Sequence, residues 1–581
     1  MQKQGFPMVT SYAQRLGQIL VAKGQVTRES LDAALREAHS TGEHLGQVLV
    51  RQGVIDEKTL QKGLSEQLRI PYVEPGDMEI PKEVLRLAPA QLVTRYKVVP
   101  VARSGMTLRV AMVDPLDMHM IDDLRLALKM EIEPLIATTA EINEAIKKYY
   151  GIGAETVERM MDTKDESASA SVEAVIADVG DDSMIEDASI VRFVNQIISE
   201  SITERATDIH VEPMERSLRI RYRIDGVLSE VAVPPSIKQF QSAIISRLKI
   251  MADMNIAERR LPQDGKIKVR KGDKEFDLRV SSIPTPYGES VAIRLLSRDE
   301  DLVNINNLGF DEQNLAMLRE LINKPHGIML VSGPTGSGKS TTLYAALKEI
   351  NKIDYKIFTV EDPIEYRMPG ITQVQVQPGI GLTFASILRT LLRQDPDIIM
   401  VGEIRDEETA QISIRAALTG HLVFSTIHTN DACGAVTRLL DMNTEPFLVS
   451  SSVNGILAQR LVRRLCSCKQ VYDPPAEALR RVNVMNEDMS GVTIYRPAGC
   501  EACRFTGFRG RTAIYEIVTL DEQMRRMVIA HESAHALKKY AVSQGMRPLR
   551  QLGWMKIKEG VTTIDEVLRV TMEDEHKYAA D

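Results

Sequence analysis

The run Gly333-Pro334-Thr335-Gly336-Ser337-Gly338-Lys339-Ser340-Thr341 follows an apolar stretch, Ile328 to Ser332, and leads straight into residues at helical spacing. Its glycines let backbone N–H groups curl around phosphate oxygens, Lys339 can reach the β and γ oxygens, and the Ser340 hydroxyl can ligate Mg²⁺. A strand, a complete G-x-x-x-x-G-K-S loop and a helix in that order describe an ATP or GTP site. Hydrolysis needs further groups to order the metal and the attacking water. The apolar run Ile357 to Val360 reads as a strand ending at Glu361, Asp362 and Glu365, and Ile398 to Val401 as another ending at Glu403. Carboxylates just past such strand ends lie where a parallel sheet opens its ligand crevice, so all four are candidates, with solvated end-of-strand charge as the alternative. A third strand, Leu422 to Ser425, is bracketed by His421 and His428. Standing near its opposite ends, these histidines do not suit one metal. Either can hydrogen-bond a γ-phosphate or a carboxylate, or be an ordinary polar histidine.

Four of the five cysteines lie between Cys466 and Cys503. A C-x-x-C pair, Cys500 and Cys503, beyond a second pair, Cys466 and Cys468, has the spacing of a structural zinc site closed by four thiolates. The first pair is one residue short, and four free thiols are the alternative. Cys433 reads as a small packed residue.

The elements that must position these groups follow from patterning. From about 304 onward short β-rich runs alternate with helices, as in a parallel α/β sheet. Before it, Leu218, Ile220, Tyr222 and Ile224 alternate with Arg219, Arg221 and Arg223, and further strands at Phe276 to Ser281 and Val291 to Leu296 carry Arg279 and Arg294. These arginines are a solvated edge or a source of positive charge for a phosphate held by another domain or subunit. The stretch IVRFVNQIISESITERATDIHVEP, from Ile190, reads as a helix, and the acidic, Ser- and Ala-rich text of 151–187 as a flexible linker. Residues 71–150 read as a small α/β domain with a strand through Leu108, Val110 and Ala111 followed by the helix MHMIDDLRLALKM. Residues 1–70 hold an internal repeat: RLGQILVAKGQVTRESLDAAL recurs as HLGQVLVRQGVIDEKTLQKGL, with Thr27 and Asp56 as helix N-caps.

A 581-residue chain that is 44% hydrophobic supports three or four domains with their own cores. A net charge of -8 argues against a protein that coats nucleic acid non-specifically, a local basic patch being the alternative. No run of eighteen apolar residues and no signal-peptide core is present, which predicts a cytoplasmic chain, and five cysteines are too few and too localised for a disulfide framework.

The phosphate loop, VEDPIEY, GLTFASILRTLLRQDPDIIMVGEIRDEETA, TGHLVFSTIHTNDA and the late cysteines occur in the order found in the hexameric ATPases of type II secretion and type IV pilus assembly, which residues 187–565 closely resemble. The resemblance implies a multidomain α/β fold. A RecA-like P-loop core (304–465) follows an α+β arginine-bearing domain (188–303), with a zinc module (466–515), a C-terminal helical region (516–581) and the helical repeat domain in front. It implies that Glu365 activates water, that Glu403 assists Mg²⁺, that His428 lies near the nucleotide with His421 as a sensor candidate, and that Arg223, Arg279 and Arg294 are candidates to reach ATP. The implied assembly is a homohexamer, peripheral to the inner membrane, that drives a membrane platform protein with its cytoplasmic partners and binds no nucleic acid. A nucleotide-gated adaptor that does not hydrolyse ATP and a DNA-transport ring are the alternatives. The repeats look like the cyclic di-GMP-binding domain of some members. Copy one offers Arg15, Leu16 and Gly17 but Ala38 in place of a glutamine, and copy two offers Leu45, Gly46 and Gln67 but His44 in place of the arginine. A docking module without ligand is the alternative there.

Overall fold

The computed structural model describes residues 16–161, 181–297, 304–482 and 492–571, other than Gly42, His44 and Arg159. Arg15 and most of the acidic stretch, 162–180, lie outside the described residues. The chain forms two compact units, Met1–Leu295 and Leu296–Asp581.

In the first unit both repeats fold as expected. Thr27 Oγ1 accepts the Ser30 N–H at 3.2 Å and Asp56 Oδ1 accepts the Thr59 N–H at 2.8 Å, so both predicted N-caps are in place. A Cβ added to Gly17 would meet the Leu31 side chain at 2.7 Å, and one on Gly46 would meet Leu60 at 2.6 Å. The same close helix crossing thus recurs in both copies. The next body is a three-stranded sheet of β1 (Val98–Ser104), β2 (Thr107–Met112) and β3 (Glu131–Ile136), with the helix Met118–Leu128 making the β2–β3 parallel crossover. A six-stranded antiparallel sheet follows: β4 (Ala206–Pro213), β5 (Leu218–Ile224), β6 (Val227–Val231), β7 (Gln263–Lys271), β8 (Lys274–Thr285) and β9 (Gly288–Ser297), in the order β6-β5-β4-β9-β8-β7. Its buried face, with Ile209, Ile220, Tyr222 and Ile293, packs in one core with Phe193 and Ile197 of the helix Asp181–Thr203 and Ile244 and Leu248 of the helix Gln241–Met251.

Two expectations change here. The helix predicted from Ile190 stops at Thr203, and ATDIHVEP is strand β4, with Ala206, Ile209, Val211 and Pro213 buried. The linker of 151–187 is narrower than its composition suggests. Ile152, Val157 and Met160 are buried with the six-stranded sheet, Glu158 accepts N–H bonds from Ala90 and Gln91 at 2.8 and 3.0 Å, and helix resumes at Asp181. A few apolar residues at helical spacing outweigh the acidic text around them.

The second unit is built on β10 (Gly327–Ser332), β11 (Ile357–Glu361), β12 (Thr372–Gln375), β13 (Ile398–Val401), β14 (Leu422–Ile427), β15 (Val453–Leu465), a small ladder of β16 (Gln470–Val471) with β17 (Tyr495–Arg496), and β18 (Phe508–Thr519). The main sheet runs β12-β11-β13-β14-β10-β15-β18, parallel except that β18 is antiparallel to β15. Two cores cover its faces: Ile328 and Leu330 of β10 enter one, Met329 and Val331 the other. That two-sided burial is why its strands read as unbroken apolar runs. The expected core of 304–465 therefore extends: β18, divided in the sequence reading between the cysteine module and the C-terminal region, is a strand of this sheet. Leu465 and Phe508 are cross-strand partners, so the cysteine segment begins and ends between two neighbouring strands.

Candidate functional site

β10 ends at the phosphate loop, and the helix Lys339–Ile350 begins where the loop closes. Gly338 caps that helix at φ 89°, a left-handed conformation that suits glycine. Gly333 is required for a second reason: a Cβ there would strike Ser337 Oγ at 2.5 Å and the Gln459 carbonyl at 2.7 Å. Pro334, Thr335, Gly336 and Ser340 are exposed at the mouth of the loop, while Ser337 is buried and its hydroxyl has no hydrogen-bond partner among the described residues. Lys339 Nζ donates to the carbonyls of Gly333 and Pro334 at 2.8 and 3.0 Å. Burial brings its ammonium down to about 8, with the Glu403 carboxylate opposing and the Arg460 cation adding to the shift.

The ends of β11, β13 and β14 lie side by side, since Val360 pairs with Val401 and Val401 with Ser425. Glu403, just past β13, stands 3.5 Å from His428 Nε2, just past β14, and pairs with Arg405. Burial first, and then the Lys339 cation, lowers the His428 imidazole below its ordinary value, with Glu403 pulling the other way. Lys339, Glu403 and His428 therefore form one electrostatic cluster, and Asp362, exposed, acts on it through Arg405. Glu361 does not join them. It is 4% exposed and accepts hydrogen bonds from Tyr344, Thr359 and Gln373, which enclose the carboxylate that the sequence offers to the metal or nucleotide. Tyr344 also receives the Glu365 N–H at 3.2 Å, which fixes the half-buried Glu365 to the helix of the phosphate loop. His421, the sensor candidate, sits at the other end of β14, with Nδ1 2.8 Å from the Ala416 carbonyl and 3.2 Å from Thr419 Oγ1, just past the end of a helix.

Sequence reasoning missed Gln459 and Arg460 of β15, which lie under the loop, and Thr429, which meets Ser332. Nothing in the loop motif points to a strand more than a hundred residues later. The candidate arginines belong to the first unit. Asp208 of β4 accepts from Arg294 Nε at 3.0 Å and lies 3.5 Å from Arg223 Nε, while Glu212 holds Arg219 and Arg221 at 2.8 and 2.5 Å. Arg279 lies on β8 opposite Lys266. Of the residues suggested for cyclic di-GMP, Leu16, Gly17, Leu45 and Gly46 are buried in the helical core and Gln67 is half-buried.

The four cysteine sulfurs lie within 4.8 Å of one another despite the short first pair. The Cys466–Cys500, Cys468–Cys503 and Cys500–Cys503 distances are 3.7, 3.8 and 3.7 Å. Sulfurs placed tetrahedrally about 2.3 Å from one ion would stand about 3.8 Å apart, so the cage fits a four-thiolate metal site. Cys503 Sγ accepts N–H bonds from Cys500 and Gly507 at 3.1 and 3.2 Å, the kind of outer support that orients a metal ligand.

The family model described as type II/IV secretion system protein matches residues 183–569, and that of the MshEN domain matches residues 68–156. The chain is 44% identical over 578 residues to the type IV pilus assembly ATPase PilB of Myxococcus xanthus, covering 96% of this chain and 99% of that protein. It is 46% identical over 481 residues to type II secretion system protein E of Xanthomonas campestris, covering 82% and 83%. Among solved structures it is similar to the pilus retraction motor PilT with bound ADP, at 26% identity and a TM-score of 0.44, over 65% of this chain and 97% of that one.

Proposed function

As a member of the type II/IV secretion system protein family, the chain is one whose work we propose to be ATP hydrolysis that powers type II protein secretion or type IV pilus assembly. The observation that carries the reading is the convergence of Lys339, Glu403 and His428 on one end of a parallel sheet beside a complete phosphate loop. ATP would lie along the loop with its phosphates on the N–H groups of 333–341 and the Lys339 ammonium. Mg²⁺, held by Ser340 and Glu403, would supply charge neutralisation between the β- and γ-phosphates. Glu365 would orient the attacking water, and His428 would exchange its Glu403 contact for the γ-phosphate and return when that charge leaves. Arg223, Arg279 and Arg294 would complete the site from another copy in a ring of six, which works at the cytoplasmic face of the inner membrane on a platform protein. No helix among the described residues is long and apolar enough to cross a membrane.

The sulfur cage would hold Zn²⁺ through Cys466, Cys468, Cys500 and Cys503, with a purely structural role. The repeats would take cyclic di-GMP through motif residues that include Arg15 and Gln67, a reading supported by the likeness of their motif. Calorimetric titration that shows no binding of that nucleotide would leave them as a docking module. The catalytic reading is tested with Glu365→Gln, which should bind Mg·ATP as wild type does and lose turnover about a hundredfold or more. An unchanged turnover would remove Glu365 from the mechanism.

A further inference from the structure

β15 sends two buried polar side chains beneath the phosphate loop, and neither belongs to the loop motif. Gln459 accepts from Thr342 Oγ1 at 2.7 Å and donates to the Ser337 carbonyl at 2.8 Å, a neutral bracket between strand and helix. Arg460 differs because it brings a charge. It is only 6% exposed, and a Cβ on Gly333 would lie 3.2 Å from its Nη1, so the guanidinium stands directly under the first loop glycine. Nη1 donates to the Gln459 carbonyl at 2.9 Å and Nη2 to the Asn430 carbonyl at 2.5 Å. Its acidic neighbours, Glu516 on β18 and Asp431 at the cap of the helix Ala432–Asp441, act on it through space. A buried cation whose hydrogen bonds go to neutral carbonyls is costly unless an anion comes close. The loop just above it is built to hold anions. Asn430, meanwhile, is two residues beyond His428, and the same turn is tied to the loop by the Ser332 and Thr429 hydroxyls.

We propose that Arg460 is a positioning residue of the phosphate site: its charge favours a bound polyphosphate, and its two-armed guanidinium fixes the His428 turn against β15. This rests on the ATPase reading above. The two halves separate experimentally, because lysine keeps the charge but offers a compact ammonium in place of the planar fork. Charge should govern nucleotide affinity, and the fork should govern turnover.

The test uses the full chain, with KM and kcat for Mg·ATP, Kd for Mg·ADP, and Tm. Arg460→Gln is expected to raise KM and the Mg·ADP Kd about tenfold. Arg460→Lys is expected to keep both within about threefold while lowering kcat about tenfold. A merely structural role would lower Tm and move KM and kcat together in both variants. A folded Gln protein that binds Mg·ADP like wild type overturns the charge half, and a Lys protein with wild-type kcat overturns the fork half. If the Gln variant does not fold, the Lys variant decides through its separation of KM from kcat. A wild-type chain that does not hydrolyse Mg·ATP would instead sink the motor reading, and the Mg·ADP affinities of the variants would then judge Arg460 alone.

Discussion

Glu361 and Glu365 differ by four positions and stand in different surroundings, one buried and one half-buried. The first is enclosed by three donors, so Glu361→Ala leaves those donors unpaired and is expected to lower unfolding stability by on the order of 3 kcal/mol in urea titration. A loss near zero would show that Glu361 is not a structural carboxylate. Glu516 offers a second residue-scale prediction. It is 1% exposed on β18 and receives the N–H of Ala432 at 2.9 Å and of Leu549 at 3.3 Å, yet burial pushes its carboxyl up to about 7 from an ordinary 4.5. Lys538 opposes that shift and Asp431 adds to it. A raised folded value means that stability from this group is fully present below pH 4.5 and is lost as pH rises through 7. Glu516→Gln should flatten the Tm-versus-pH curve across that window, and a variant curve parallel to wild type would refute the assignment. The phosphate loop was legible residue by residue because its chemistry is local. Glu361 was not, since identity and position show a carboxylate at a strand end but not which way its side chain turns.

The same distinction holds among the elements. Strands β10, β11 and β13 were readable to within a residue because each is an apolar run buried on both faces. β4 was lost because its alternation follows a real helix with a break of only two residues, Glu204 and Arg205. The helix Glu407–Leu418, which follows Glu403, begins at Asp406, whose carboxylate accepts the Thr409 N–H at 2.8 Å. Asp406→Ala should therefore cost about 1 kcal/mol in chemical denaturation. Because the cap closes a segment carrying Glu403, the loss should be partly recovered in saturating Mg·ADP, and a variant as stable as wild type would show that the cap is redundant.

For the whole molecule, composition and motif order separated the arginine-bearing and nucleotide-binding parts, and the structure divides them at Leu295 and Leu296. What composition could not reveal was that β18 rejoins the nucleotide sheet after the cysteines, because pairing between distant strands leaves no local mark. The purified chain should contain one zinc per copy by elemental analysis, and stripping it with a chelator should lower the Tm of the second unit. Wild-type Tm after complete removal would show that the cage does not stabilise the fold. The Lys469 ammonium, which donates to the Gly560 carbonyl at 2.6 Å and lies 4.3 Å from the Tyr495 ring, is one contact through which that loss would reach the C-terminal helices, and the bond from Arg550 to the Arg481 carbonyl is another. The pairing of Leu465 with Phe508 has one more consequence. The cysteine segment enters and leaves between this pair, yet its Val482 and Ile494 are buried in the core on one face of the sheet, beside Trp554 and Ile557. An insertion that lends side chains to its host's core is an organ and not an ornament: cutting it out would open a hole in the engine as well as remove the cage.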